Sequence, residues 1–150
     1  MRVSGAGSGT FSAMSTAIPV HVGLFTETDP PDLLGGRCTS CGNHNFPRHE
    51  ICPYCASDAT EAATLSAVGR LWAWTAVTHP PPGYQGDIPY GFGVVELPEG
   101  LRVVTRLTEP DPSRLRPGQP MHLEVVPLHV DDDGQNVVTY AFAPDQPVTP

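Results

Sequence analysis

The C-terminal half of the chain alternates apolar and polar residues with a period of two, which is typical of β-strands. Strand-like segments run over 71–78, 90–97, 101–108, 121–130 and 137–142. Pro98-Glu99-Gly100 and Asp131-Asp132-Asp133-Gly134 provide hairpin turns between neighbouring segments. Five short antiparallel strands without a helical period between them predict a small closed barrel of the OB type.

The N-terminal half has no such alternation. Residues 1–20 are rich in Gly, Ser, Thr and Ala and are predicted to be a disordered leader. Asp29-Pro30-Pro31-Asp32 favours a short helical turn, which Pro31 keeps from growing and Gly35-Gly36 ends. The predicted order is therefore a leader (1–20), a helical segment with a cysteine-rich module (21–65), the barrel (66–144) and a tail (145–150), in a mainly β chain.

Composition limits the function classes. No apolar run reaches the roughly 18 residues that a membrane span needs, and the leader lacks the apolar region of a signal peptide, so we expect a cytoplasmic protein without membrane attachment. The formal net charge is −8, and all eight basic residues are arginine. This charge disfavours nucleic acid as a partner.

Four cysteines form two Cys-x-x-Cys pairs: Cys38 with Cys41, and Cys52 with Cys55. A two-residue spacer lets both sulfurs of a pair face one ion, and two pairs complete the tetrahedral shell of a structural zinc. Disulfides or a redox dithiol are weaker alternatives, because no secretory signal is present and a redox motif needs one pair. The spacing alone also allows an iron site and hence an electron carrier.

Specific catalytic patterns are missing from the sequence. It has no Gly-x-Ser-x-Gly elbow, no phosphate-binding glycine loop and no His-Glu-x-x-His. With the cysteines assigned to metal, we expect a binding or accessory protein and not an enzyme acting alone. Single-stranded nucleic-acid binding, with Trp72, Trp74 and Tyr90 stacking on bases, is an alternative that the negative charge disfavours.

The order of motifs resembles the OB-fold proteins that carry an acyl-CoA-associated, rubredoxin-like zinc ribbon. The residues that carry the resemblance span nearly the whole chain between leader and tail. They are Arg37-Cys38-x-x-Cys41-Gly42, Phe46-Pro47-Arg48, Cys52-Pro53-x-Cys55, Gly69-Arg70-Leu71-Trp72-Ala73-Trp74-Thr75, Ile88-Pro89-Tyr90 and Val94-Val95-Glu96-Leu97-Pro98-Glu99-Gly100-Leu101-Arg102.

The resemblance implies a non-catalytic subunit that binds a thiolase-like enzyme of the sterol-carrier-protein type, either an acyl-CoA thiolase or a retro-aldolase. It also implies a link to MaoC-like hydratases and to lipid or steroid side-chain degradation. The four cysteines carry over as zinc ligands, and acyl-CoA becomes a possible ligand. Candidate acyl-CoA or partner contacts are Arg48 (near the CoA phosphates), Trp72, Trp74, Tyr84, Tyr90 and Phe92. The alternative for Trp72, Trp74 and Phe92 is a place in the barrel core.

Overall fold

The protein is described by a computed structural model over residues 17–145; residues 1–16 and 146–150, which hold most of the predicted leader and tail, lie outside the described part. The described residues contain two sheets and one short 3-10 helix, Pro112–Arg114. The strands are β1 (Ala17–Pro19), β2 (Leu33–Cys38), β3 (His44–Asn45), β4 (Thr60–Leu65), β5 (Val68–Val77), β6 (Tyr90–Glu96), β7 (Arg102–Leu107), β8 (Pro120–Val130) and β9 (Asn136–Pro144).

Strands β5 to β9 form the predicted barrel, and each coincides with one of the five strand-like segments. The order is β5-β6-β7-β9-β8, and β8 pairs again with β5 to close the barrel. All these pairings are antiparallel except β7 with β9, which run parallel. The first part of β9 also pairs in parallel with β1, so Ala17–Pro19, inside the predicted leader, forms a strand.

The inward positions of the barrel strands form one apolar core. Five of these side chains are at most 2% exposed: Phe142, Leu71, Val95, Leu107 and Met121. On β6 and β7 the buried residues alternate with partly or fully exposed ones, as a sheet with one solvated face requires. The period-two pattern in the sequence is therefore explained by the barrel interior.

The cysteine-rich module is a second sheet with the order β3-β2-β4. No strand is predicted before residue 71, but Thr60–Leu65 pairs along the whole of β2. Gly35 and Gly36 lie inside β2 and do not end an element. A Cβ on Gly35 would lie 2.5 Å from the carbonyl oxygen of Asn45, so the close approach of β2 to β3 requires glycine.

The predicted N-terminal helical segment is wrong. The described residues contain no α-helix, and the chain before β2 folds into a loop whose two arms pair through Phe25 and Leu33. The backbone N–H of Thr26 donates to the carbonyl of Asp32 (2.9 Å), and its hydroxyl accepts from the Asp32 N–H (2.8 Å). A residue before proline disfavours the α conformation, so the Pro30-Pro31 pair favours this extended loop.

The two sheets share one buried cluster. Leu33 and Leu65, which lie opposite each other on β2 and β4, pack with the barrel leucines. The side chain of Glu99, in the β6–β7 turn, accepts a 2.7 Å hydrogen bond from the backbone N–H of Ser66. Within residues 17–145, no helix has the length and apolar character that crossing a membrane demands.

Candidate metal centre and exposed aromatic face

The four cysteines lie on two turns of nearly identical backbone geometry. The N–H of Gly42 donates to the carbonyl of Cys38 (2.8 Å), and the N–H of Ala56 donates to the carbonyl of Cys52 (2.9 Å). The residue after each pair has positive φ, 82° at Gly42 and 64° at Ala56. Glycine takes this conformation freely, whereas alanine takes it at a cost, so the second turn is held in a strained form.

The turns bring the four sulfur atoms within 4.8 Å of one another. The Cys38 and Cys55 sulfurs are 3.6 Å apart, and those of Cys41 and Cys52 are 3.7 Å apart. A zinc ion with sulfurs at about 2.3 Å requires tetrahedron edges of about 3.8 Å, so these separations fit the metal. The four sulfur atoms are thus already placed as a four-thiolate shell, in which protein sulfur takes all four positions.

Backbone amides point at the sulfurs and favour their charged form. The Cys41 N–H donates to the Cys38 sulfur, and the Tyr54 N–H donates to the Cys52 sulfur, each at 3.4 Å. The first of these lowers the pKa of the Cys38 thiol to about 6, against the effect of burial. The Ser57 amide acts the same way on Cys55, but burial and the neighbouring sulfurs outweigh it and raise that pKa to about 11. A dication among the sulfurs would relieve this mutual repulsion.

A second feature is the solvent-facing side of β6 and β7, which we name the aromatic face. Its outer positions are Tyr90, Phe92, Val94 and Glu96 on β6 and Arg102, Val104 and Arg106 on β7. Phe92 lies opposite Arg106, and Glu96 lies opposite Arg102. A β-bulge in β5 between Leu71 and Ala73 adds Trp72 to this face, where the Arg102 guanidinium stacks on the indole at 4.1 Å.

Three of the candidate contact residues meet around one arginine. The rings of Tyr84 and Tyr90 stack with their centroids 5.0 Å apart. Arg106 covers Tyr90 at 4.4 Å and donates to the Tyr84 hydroxyl at 2.9 Å. Phe92, directly opposite Arg106, is 38% exposed. The structure thus groups Tyr84, Tyr90 and Phe92 on the aromatic face, and Trp72, which is 52% exposed, lies at the same face and not in the core.

The other two candidates lie elsewhere. Trp74 packs against the barrel core, and its indole N–H donates to the carbonyl of Pro112 at 3.0 Å, so its surroundings match the core alternative. Arg48 lies on the cysteine-rich module, where its guanidinium donates to the carbonyl of Thr60 at 3.3 Å. Its aliphatic part passes over Gly36, which leaves room for it by lacking a Cβ.

The aromatic face continues into a groove of about 570 Å³ at the boundary with the cysteine-rich module. Phe46 and Pro47 form one wall, and Tyr140 from β9 lies between the two modules with Phe46 packed edge-on at 5.3 Å. Burial raises the pKa of Tyr140. Sequence reasoning missed Tyr140, Arg102 and Arg106 as site residues. Their only signal was an outward position on a strand, which many surface residues share.

Comparison with known families agrees with this architecture. Residues 26–61 match the family model described as ChsH2, rubredoxin-like zinc ribbon domain, and residues 62–126 match ChsH2, C-terminal OB-fold domain. A DUF35 domain-containing scaffold protein from Pyrococcus furiosus is 36% identical over 115 residues, which cover 75% of this chain and 82% of that protein. The chain belongs to the ChsH2/DUF35 family. The expected zinc ribbon followed by an OB barrel is therefore confirmed as its family architecture.

Two further relatives are named for enzyme complexes. Benzoylsuccinyl-CoA thiolase subunit BbsA from Thauera aromatica is 33% identical over 112 residues, covering 75% of this chain and 76% of that protein. Among solved structures, a chain of the Ltp2-ChsH2(DUF35) aldolase aligns with a TM-score of 0.57 and 27% identity, over 75% of this chain and 84% of that one. Members of this family are thus named as a scaffold protein, a thiolase subunit and a component of an aldolase.

Proposed function

We propose that this chain is a non-catalytic subunit that binds and supports a thiolase-like enzyme, either an acyl-CoA thiolase or a retro-aldolase. The observation that carries the proposal is the joined pair of modules, a four-cysteine ribbon packed on an OB barrel through Leu33 and Leu65. Relatives that match both modules over about three quarters of this chain are named as a thiolase subunit and an aldolase component.

The metal has a structural role in this proposal. Cys38, Cys41, Cys52 and Cys55 hold one zinc ion, and because all four positions carry protein sulfur, no position is left for water or substrate. Zinc would stabilise the ribbon, and the ribbon in turn supplies Phe46 and Pro47 to the groove beside the barrel.

Acyl-CoA and lipid substrates form the finer part of the proposal. Arg48, Trp72, Tyr84, Tyr90 and Phe92 are proposed to contact the partner enzyme or its acyl-CoA, whereas Trp74 supports the barrel from within. A steroid or other lipid side chain as substrate, a MaoC-like hydratase as second partner and a cytoplasmic location are expectations from the family resemblance.

Co-expression tests the proposal directly. The chain is produced alone and together with a thiolase-like protein of the same organism, and that protein is also produced alone. We expect a stable heteromer with thiolytic or retro-aldol activity, no turnover by the chain alone, and a partner that is inactive or insoluble by itself. A partner that is soluble and fully active without the chain would contradict the proposal.

A further inference from the structure

We infer that the aromatic face is the surface on which the thiolase-like subunit docks, with Trp72, Phe92 and Val104 at its apolar centre and Arg102 and Arg106 facing acidic side chains of that subunit. This inference rests on the proposed function and adds the location and chemistry of the interface. Arg102, Arg106 and Val104 enter as recognition residues that the sequence did not indicate.

The apolar part of the face is unusually exposed for a barrel surface. Trp72 is 52%, Phe92 38% and Val104 56% exposed, and they come from three neighbouring strands, β5, β6 and β7. Val104 lies opposite Val94, so apolar side chains continue across both strands between the flanking arginines. Contiguous apolar surface of this kind, bordered by polar groups, is typical of protein interfaces.

At the centre of the face, β6 offers a partner side chains and not backbone. It pairs with β5 on one side and with β7 on the other along nearly its whole length, so an added strand cannot pair with it. Recognition at this face therefore depends on what projects from it. Tryptophan, tyrosine and arginine are the residue types that most often dominate binding energy at interfaces.

Charge points to the chemistry of the partner. The chain carries a formal charge of −8, yet the outer positions of β6 and β7 hold two arginines and one acid, Glu96. Both guanidinium groups are already oriented, Arg102 over Trp72 and against Glu96 (3.3 Å), and Arg106 over Tyr90. A local positive patch on an acidic protein favours an acidic partner surface and would steer its approach.

A protein fits this face better than an acyl chain does. Small-molecule sites enclose most of the ligand. The groove that Phe92 and Val104 help to line is open to solvent, and Trp72 lies outside it; Trp72 and Val104 are each more than half exposed.

The test measures the dissociation constant of the purified heteromer, made by co-expressing the zinc-loaded chain with the thiolase-like protein, from a dilution series followed by analytical ultracentrifugation. We expect Trp72→Ala and Val104→Asp to weaken binding at least tenfold. We expect the double variant Arg102→Glu/Arg106→Glu to weaken it and to remove most of the salt dependence. The matched control is Val130→Asp, since Val130 is 60% exposed on β8 and should leave affinity unchanged. Zinc content and thermal unfolding show whether each variant is folded. If Val104→Asp is not folded, Trp72→Ala and the arginine double variant show whether the partner docks on the aromatic face.

The possible failures are distinguishable. If the wild-type chain does not bind the thiolase-like protein, the proposed function fails. If the wild type binds and the folded Trp72 and arginine variants bind as tightly as Val130→Asp, the partner docks elsewhere and only this inference is overturned. Tight binding of acyl-CoA to the chain alone, lost in Trp72→Ala, would also overturn it by making the face a ligand site.

Discussion

The ribbon and the barrel are both β-structures of similar simplicity, but they are stabilised in different ways. The barrel has a continuous core of leucine, valine and phenylalanine from five strands. In the ribbon, the buried apolar side chains away from the barrel are mainly Cys38 and Cys52, and its buried leucines, Leu33 and Leu65, belong to the shared cluster. The ribbon alone therefore buries too little apolar surface to fold, and its four sulfurs must supply the difference through a metal.

This difference explains why the two modules are joined in one chain. The barrel provides an apolar wall against which Leu33, Leu65 and Phe46 pack, so the ribbon gains from the barrel as well as from zinc. In return the ribbon covers one end of the barrel and extends its outer surface at Phe46 and Pro47. Loss of the metal should thus unfold the ribbon and disrupt the groove, while the barrel interior stays largely intact.

The largest expected effect is loss of the metal centre. Cys38→Ser removes a buried ligand, and because structural zinc contributes on the order of 10 kcal/mol to such modules, we expect the ribbon to lose its fold. Hydrogen exchange should show lost protection at the amides of positions 38 and 52, which donate to Asn43 and Ser57, and retained protection in β6 and β7. Ser40→Ala, an exposed change in the same turn, is the matched control. Equal loss of protection in both modules would contradict their separate stabilisation.

The second prediction concerns a substitution in the barrel core. Phe142 is a fully buried side chain in β9, and Phe142→Ala should cost about 3–5 kcal/mol because it removes apolar contacts and leaves a cavity. We expect a lower denaturant midpoint with an unchanged zinc-to-protein ratio under native conditions. Val130→Ala, at an exposed position, should change stability by less than about 0.5 kcal/mol. Loss of zinc in native Phe142→Ala would show that the ribbon cannot hold metal without an intact barrel.

The sequence allowed the barrel strands and the metal ligands to be predicted, but not the third strand of the ribbon. The barrel strands were predictable because one face is buried and the other solvated, so alternation marks each of them. The metal ligands were predictable because sulfur chemistry restricts the spacing of cysteines. In contrast, β4 has no strong pattern: Thr60–Leu65 carries small and polar residues, and its strand form comes from pairing with β2.

The N-terminal loop and the aromatic face needed the three-dimensional structure. Pro30-Pro31 is compatible with a helix start as well as with a turn, and the hydrogen bonds of Thr26 to Asp32 select the turn. Trp72 and Trp74 are two residues apart, which in a regular strand puts both on the same side. The β-bulge at Trp72 separates them, so that one indole lies outside and the other packs on the core. A bulge adds one residue and leaves no clear signal in the alternation.

A smaller effect tests the strain within the ribbon. Ala56→Gly relieves the strain of a positive φ but also makes the unfolded chain more flexible. We expect the free energy of unfolding of the ribbon to rise by about 0.5–1 kcal/mol as the net result. Zinc affinity measured by competition with a chelator should rise about two- to fivefold. The reciprocal variant Gly42→Ala introduces the same strain in the first turn, where the Cβ would meet no atom closer than 4.0 Å, and should lower the affinity. Changes of the same sign in both variants would exclude backbone strain as the cause.

The smallest expected effect is a pH dependence of stability that has opposite signs in the two modules. Acid should weaken the ribbon, because cysteine must lose its proton to bind zinc. On the barrel, His122 lies between two carboxylates, with Nδ1 2.6 Å from Asp145 and Nε2 2.7 Å from Glu124. Both ring nitrogens can donate only in the protonated form. Burial lowers the His122 pKa, but the hydrogen bonds that its ring donates to Asp145 and Glu124 outweigh burial and raise the pKa above 6.5.

Because the folded pKa is the higher one, the stabilisation by His122 is fully present below about pH 6.5 and is lost as the pH rises through the folded value. His122→Gln should therefore lower the thermal midpoint of the barrel at pH 5.5 and change it little at pH 8.5. Gln135→Ala, which changes an exposed side chain that carries no ionisable group, should give a difference that does not vary with pH. A His122→Gln effect that grows towards alkaline pH would mean that the imidazole is neutral in the folded protein, and the ribbon and barrel would then not respond oppositely to acid.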